Sequence, residues 1–287
     1  AASDVYKRQT GIHGTCSTYY TGGSYQKSNH EQVNNTYEII IMGLSQVITV
    51  WQSHFWRKRM NGILCADMDN TIIYSYKRNI GENKLNVELY NGREISFISE
   101  KTHDLLKKVS EKMTIIPTST RTEEQYKRID LDIGIVPYAL VCNGGVLLVN
   151  GKRDREWYLE SLQMIQNSRP EMEKAQQILA GDSRRKFELR FLDELFIFTK
   201  CEKPEEVVED LQAKLTTKLV DVFHNGEKVY VVPVNLSKGM AVRRLRKRLQ
   251  PAYIIAAGDS EFDVSMVEES DLSLIHISEP TRPEPIS

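Results

Sequence analysis

Short apolar runs separated by polar turns begin at Ile63 and continue to about Asp271. Their spacing switches between that of buried strands and that of amphipathic helices. The run 63–66 predicts a first strand. Residues 87–99 predict a hairpin turning at Asn91-Gly92. Ser99 is placed to cap a helix reaching about residue 112, with Leu105, Leu106 and Val109 recurring at helical spacing. A second strand is predicted at 113–117. Thr122 and Gln125 form a capping box for a helix over 123–129. A third strand at 139–142 ends in Asn143-Gly144-Gly145, and residues 146–149 lead into another Asn-Gly turn at Asn150-Gly151. Strands alternating with helices imply a mainly parallel sheet joined by right-handed crossovers.

The middle of the chain breaks this rhythm. Helices are predicted over 157–165 and 171–179, and antiparallel strands over 187–191 and 195–199 around Asp193-Glu194. Pro204 starts a helix whose Val207, Val208, Leu211, Leu215 and Leu219 share a face. Strands at 220–223 and 229–232 flank Asn225-Gly226. Such a mixture implies a separate α+β lid over 153–234. The core rhythm returns with a helix over 240–249, opened by Ser237-Lys238-Gly239, and a strand at 254–257 that ends in Gly258-Asp259-Ser260. The expected fold is therefore α/β, a Rossmann-like, mainly parallel sheet (60–152 and 235–271) with an inserted α+β cap.

Chemistry enters at the first strand. It ends in Asp67-Met68-Asp69-Asn70-Thr71, and continued strand geometry would turn Asp67 and Asp69 to the same side. Two carboxylates so close repel, and a metal cation or a shared proton is the usual remedy. One such Asp can accept a phosphoryl group while the other passes a proton to the leaving oxygen. The stretch alone is equally a strand ending in a polar turn, with Asp69 or Thr71 capping the next element. In an open parallel sheet, ligands bind at the carboxyl ends of the strands. Asp67, Asp69, Ser119 and Asp259 all lie at such ends, and Lys238 begins a helix that can approach the same edge. Oxygen ligands for a hard cation, a hydroxyl and an ammonium together suit a phosphoryl group and Mg²⁺.

Composition narrows the alternatives. With 27% charged and 40% hydrophobic residues and a net charge of -1, the chain has no basic bias towards nucleic acid. Its longest apolar stretch, 39–51, is too short for a membrane span, and no signal peptide is evident. Cys16, Cys65, Cys142 and Cys201 have no paired spacing, so reduced thiols in a cytoplasmic protein are expected. His103 and His224 lack matching ligand partners and read as surface residues. The basic run Arg243, Arg244, Arg246, Lys247 and Arg248 reads as a solvated face. Residues 145–152 lack the spacing of a phosphate-binding loop and read as a hairpin.

Asp67-x-Asp69-x-Thr71, Ser119, Lys238 and Gly258-Asp259-Ser260-x-x-Asp263 resemble, in order, the four motifs of the haloacid dehalogenase superfamily of phosphatases. The resemblance covers about 60–271. Asn143-Gly144 and the intervening cap resemble the Cof-type and sucrose-phosphate phosphatase branch, which carries a C2-type cap. Residues 69–75 also look like phosphatases encoded beside bacterial tellurite-resistance genes. The resemblance implies Asp67 as nucleophile and Asp69 as general acid and base. Thr71, Ser119 and Lys238 would hold the transferring phosphoryl. Mg²⁺ would sit among Asp67, Asp69 and Asp259, with Asp263 supporting the metal or Lys238. Ser119-Thr120-Arg121 departs from the family's more usual Thr-Gly-Arg. Arg121 is then a substrate-anion ligand or a solvated arginine at a helix start, and Asn143 a second substrate ligand. The implied activity is hydrolysis of a phosphomonoester, a sugar phosphate or similar small metabolite, with neither nucleic acid nor membrane as partner. A phosphomutase or phosphotransferase of the same fold and a phospho-accepting switch are the rival readings. A stable switch has no need of a second acid at Asp69.

Both ends stand apart. Residues 3–9 and 272–282 resemble the two orientations of a translated transposase adapter used in DNA library preparation. Residues 10–36 are rich in Gly, Ser, Thr, Tyr and Asn without a sustained period, and 37–56 suit a strand or helix by composition alone. The expectation is a non-native or disordered extension at 1–59, a natural start at Met60, an adapter-like tail at 272–287, and a gene that continues past Asp271.

Overall fold

The computed structural model describes Ser45 and residues 61–275. The expectations for 1–44, 46–60 and 276–287 lie outside the described residues. The first strand, β1 (Gly62–Ala66), is buried along its whole length. It is flanked in parallel by β5 (Thr114–Pro117) on one side and β13 (Tyr253–Gly258) on the other, and β14 (Leu272–Ile275) extends the sheet beyond β13. The order β14-β13-β1-β5 reverses direction of winding at β1. The crevice at the carboxyl end of β1 is thus a topological switch point, where open α/β sheets hold their ligands.

Alternating residues explain why this sheet is buried on both sides. Leu64, Ala66, Ile115, Ile255 and Ala257 face α1 (Glu100–Ser110) through Leu106 and Val109. Ile63, Cys65, Ile116, Ile254 and Ala256 face Trp157 and α6 (Lys238–Leu249) through Ala241, Val242 and Leu245. Parallel strands covered on both faces read as continuous apolar runs. Capping follows the sequence: Ser99 accepts from the Thr102 N–H, Thr122 and Gln125 form the reciprocal box of α2 (Glu123–Lys127), and Ser237 accepts from the Met240 N–H.

Between α1 and the first strand lies a hairpin of β3 (Lys84–Tyr90) and β4 (Arg93–Ser99), joined by the two-residue strand β2 (Tyr74–Ser75). Its turn residues Asn91 and Gly92 have φ of 51° and 75°, the left-handed pair that a tight hairpin requires. The inserted region carries helices α3 (Arg155–Met164), α4 (Arg169–Ala180) and α5 (Pro204–Lys214). Its sheet is antiparallel, in the order β11 (Val220–Asn225), β12 (Lys228–Pro233), β10 (Phe196–Lys200), β9 (Arg190–Leu192). The architecture is a Rossmann-like core with an inserted cap-like sheet and helices. No helix among the described residues is long and apolar enough to cross a membrane.

Four local expectations are corrected. The strand expected over 139–142 is β6 (Tyr138–Val141), and it pairs antiparallel with β7 (Val146–Val149), which in turn pairs with β8 (Lys152–Arg153). A single parallel bridge, Thr118 to Leu140, joins this hairpin to the core sheet. The strand expected over 187–191 starts three residues later and runs one residue further, as β9, and Asp193 and Glu194 take left-handed φ in the turn that follows it. Leu272–Ile275, left outside the fold by sequence, pairs with residues 255–258. His103 is buried: it shares the inward stripe of α1 with Thr102, Leu106 and Val109, and its Nε2 lies 3.2 Å from the Asp132 carbonyl oxygen.

The basic run of α6 is neutralised locally. Arg243 pairs with Glu269, Arg244 with Glu160, Arg246 with Asp271 and Arg248 with Asp154. Arg244 also lies over the Trp157 ring, 3.7 Å from its centroid.

Gly144 marks the tightest approach of the β6–β7 turn to α6. Its φ is +85°, and a Cβ there would stand 2.4 Å from the Ala241 Cβ. Gly144→Ala is therefore expected to lower unfolding free energy by about 1–3 kcal/mol from backbone strain alone, with more from the clash. A denaturant midpoint unchanged from wild type would refute this packing.

Candidate active site

Asp67 follows β1 directly, and its N–H donates to the Ala257 carbonyl at 2.8 Å, which pins it between β1 and β13. Its Oδ1 accepts from Lys238 Nζ at 2.5 Å, and the same ammonium donates to Asp263 Oδ1 at 2.6 Å. Lys238 is 1% exposed, so a single cation is enclosed between two buried carboxylates. Asp263 is fully engaged. Its Oδ2 accepts from the Asp259 and Ser260 N–H groups and from the Ser260 hydroxyl. Gly258 leaves room for it, since a Cβ there would meet the Asp263 side chain at 2.4 Å.

Ligand oxygens of Asp67, Asp259 and Asp263 lie within 4.8 Å of one another. Thr71 Oγ1 bridges two of these residues, 3.5 Å from Asp67 Oδ2 and 3.3 Å from Asp259 Oδ1. Three carboxylates face one ammonium, and the imbalance shows in their acidities. Burial pushes the Asp67 carboxyl up to about 8, against the pull of Lys238 and with Asp263 and Asp259 adding to the rise. Burial, together with Asp263, pushes Asp259 up to about 6. Lys238 is held above the ordinary lysine range by Asp67 and Asp263, which outweigh its burial. A buried oxygen cluster with surplus negative charge fits a hard divalent cation.

Ser119 lies on the neighbouring strand end. Thr118 N–H donates to the Ala66 carbonyl, and Ser119 itself is buried, its Oγ accepting from the Arg121 N–H at 3.1 Å. Asn143 is 4% exposed. Its Nδ2 donates to the Leu236 carbonyl at 3.0 Å, just ahead of Lys238, while its Oδ1 is a buried acceptor without a partner.

Arg121 is not a solvated arginine. Its Nε and NH2 groups grip both Asp69 oxygens at 2.8 and 2.7 Å, and NH1 donates to Glu88 Oε2 at 2.8 Å. Sequence reasoning missed Glu88, whose side chain is fully buried and also accepts from Ser96 Oγ at 2.6 Å and Arg128 Nε at 3.2 Å. Strict alternation would turn Glu88 away from Val87. Register shifts on either side of it form a bulge, so both residues point inward. Removing the charge with Glu88→Gln leaves two arginines competing for fewer acceptors. The expected loss is about 1–3 kcal/mol of unfolding free energy, together with a looser hold on Asp69; equal denaturation curves for variant and wild type would contradict this.

A family model described as haloacid dehalogenase-like hydrolase matches residues 147–275, which include Lys238, Asp259 and Asp263. The fold is similar to that of the sucrose-phosphatase of a Synechocystis species, solved with sucrose and phosphate. The TM-score is 0.51 at 15% identity, over 75% of this chain and 82% of that one. It is also similar to a C-terminally truncated IMP-nucleotidase of Plasmodium falciparum, with a TM-score of 0.50 at 12% identity over 85% of this chain and 71% of that one. No curated protein matches the chain in sequence. The family model thus matches the second part of the chain, and the solved structures share its fold.

Proposed function

We propose that the protein is a Mg²⁺-dependent phosphomonoester hydrolase that works through an aspartyl-phosphate on Asp67, with a sugar phosphate or similar small metabolite as substrate. The observation that carries this reading is the buried cluster of Asp67, Asp259 and Asp263 closed by Lys238, with Asp69 two residues from the first of them. Asp67 and Asp259, with the Asp69 backbone, would hold the cation, which favours the ionised form of Asp67 and offsets phosphate charge when bound. Asp263 has its oxygens committed and orients Lys238 and the Asp259 loop.

In the proposed first step an Asp67 oxygen attacks phosphorus, the ester P–O bond breaks, and the leaving oxygen takes its proton from Asp69. In the second step Asp69 removes a proton from water, the water oxygen attacks the same phosphorus, and phosphate leaves as Asp67 is regenerated. Lys238, Ser119 and Thr71 hold the charge and geometry of the phosphoryl between them. Arg121 occupies both Asp69 oxygens, so it has to yield one before Asp69 can carry a proton. An arriving phosphoryl dianion supplies the competing acceptor, which makes Arg121 a substrate ligand as well as a clamp. To serve as a substrate ligand, Asn143 would have to uncover its Oδ1, which is a buried acceptor without a partner.

Phosphate release from a panel of phosphorylated sugars and nucleotides tests the proposal. Release with Mg²⁺ and none after chelation is expected; no release from any ester in Mg²⁺ would overturn it. The cation should also raise the melting temperature most near pH 8 and least near pH 5. Carboxyls raised to about 8 and 6 bind protons as pH falls, and those protons compete with the metal. A Mg²⁺-induced shift independent of pH would argue against these ligands.

A further inference from the structure

The cap sheet has two unlike faces. Val222, Val229, Val231 and Ile197 belong to the cluster packed with the cap helices and are buried. The other face carries an aromatic row in register: Phe223 of β11 stands opposite Tyr230 of β12, and Tyr230 opposite Phe198 of β10. Ring centroids are 5.5 Å apart in the first pair, which is stacked, and 5.3 Å apart in the second. All three rings are half-buried. A sheet face turned to water reads polar, so a continuous aromatic row implies a cover.

Part of the cover is visible. Phe262 of α7 (Glu261–Glu268) meets Phe223 edge-on at 4.6 Å and Tyr230 at 5.5 Å. Phe262 lies between Asp259 and Asp263 in sequence, so the row packs against the segment that carries two members of the acidic cluster. Tyr230 also lies within the electrostatic reach of Asp69, whose charge, after burial, helps push the phenol up to about 12. Phe198 has no ring contact with Phe262, and beyond it Arg190 stands opposite in register on β9.

These positions constrain the ester. Its leaving oxygen has to reach Asp69, so the atoms attached beyond that oxygen extend towards Tyr230 and its neighbours. We propose that Phe223, Tyr230 and Phe198 form the leaving-group subsite, and that the leaving group is a ring presenting a flat apolar face. The proposal rests on the hydrolase reading above and narrows its substrate class. A pyranose or furanose offers such a face through its C–H bonds and a heteroaromatic ring through its π-face, whereas an acyclic polyol offers none.

Binding in the full chain carrying Asp67→Asn, with Mg²⁺, separates this from turnover. Glucose 6-phosphate, adenosine 5′-monophosphate and glycerol 3-phosphate are titrated calorimetrically. At least one ring ester is expected to bind about tenfold tighter than glycerol 3-phosphate, and which one identifies the kind of ring. Tyr230→Leu, which keeps apolar bulk and removes the flat face, should weaken that ester by about two- to tenfold, and Tyr230→Phe should keep it. Should Tyr230→Leu fail to fold, Phe198→Leu, at the end of the row that meets Phe187 edge-on at 5.9 Å, is expected to show the same loss. Equal binding of all three esters, binding of none, or ring affinity unchanged in a folded leucine variant would overturn the proposal. A ring ester that binds through the row yet releases no phosphate from the wild-type chain would instead sink the hydrolase reading.

Discussion

Replacing Asp67 by asparagine is expected to abolish Mg²⁺-dependent phosphate release while leaving the fold intact. The amide is nearly isosteric with the carboxylate but cannot attack phosphorus, so turnover should fall by at least about a hundredfold, or roughly 3 kcal/mol in barrier. The fold should tolerate the change. Asp67 is buried and its carboxyl is already pushed up to about 8, so the neutral amide removes a desolvated charge. Lys238 keeps Asp263 as its partner at 2.6 Å. Coincident thermal melts with activity lost are the expected pair of results. Retention of more than about a hundredth of wild-type turnover would show that another group attacks phosphorus.

How much of this could be read beforehand differs by kind of signal. Turns and caps were legible because they are local: Asn91-Gly92 and Asn150-Gly151 adopt the left-handed φ that only a few residues tolerate, and Thr122 with Gln125 closes its box over one helical turn. The acidic cluster was legible as an order of strand ends, since a parallel sheet brings its carboxyl ends to one edge whatever the loops do. Its internal wiring was not. Asp263 as a saturated anchor for Lys238 and the Asp259 loop depends on the packing of α6 against α7, where a Cβ on Gly239 would stand 2.2 Å from the Ser265 carbonyl oxygen. Glu88 was hidden by a bulge that breaks the period on which strand reading relies. The aromatic row was hidden for a different reason. Phe198, Phe223 and Tyr230 are scattered over three strands, and only the register places them side by side.

Lys238→Met is expected to have the largest effect on stability. The side chain is 1% exposed and its ammonium is shared by two buried carboxylates at 2.5 and 2.6 Å. Methionine fills much of the volume but leaves those carboxylates without a cation, and breaking a buried pair in this way costs about 3–5 kcal/mol. The sign of the pH dependence follows from the charges. The lysine is held above its ordinary range in the fold, so its contribution is fully present below pH ~10 and is lost as pH rises through the folded value. In the variant the abandoned carboxyls can be neutralised by protons, so the loss should be greatest at pH 8 and should shrink towards pH 5. A divalent cation bound among Asp67, Asp259 and Asp263 substitutes for part of the missing charge, so Mg²⁺ should restore more stability to the variant than it adds to the wild type. Urea denaturation at pH 8 and pH 5, each with chelator and with Mg²⁺, measures all three effects. A chelated variant within about 1 kcal/mol of wild type at pH 8 would mean that the cluster is held by its backbone hydrogen bonds alone, with Lys238 reserved for the phosphoryl group.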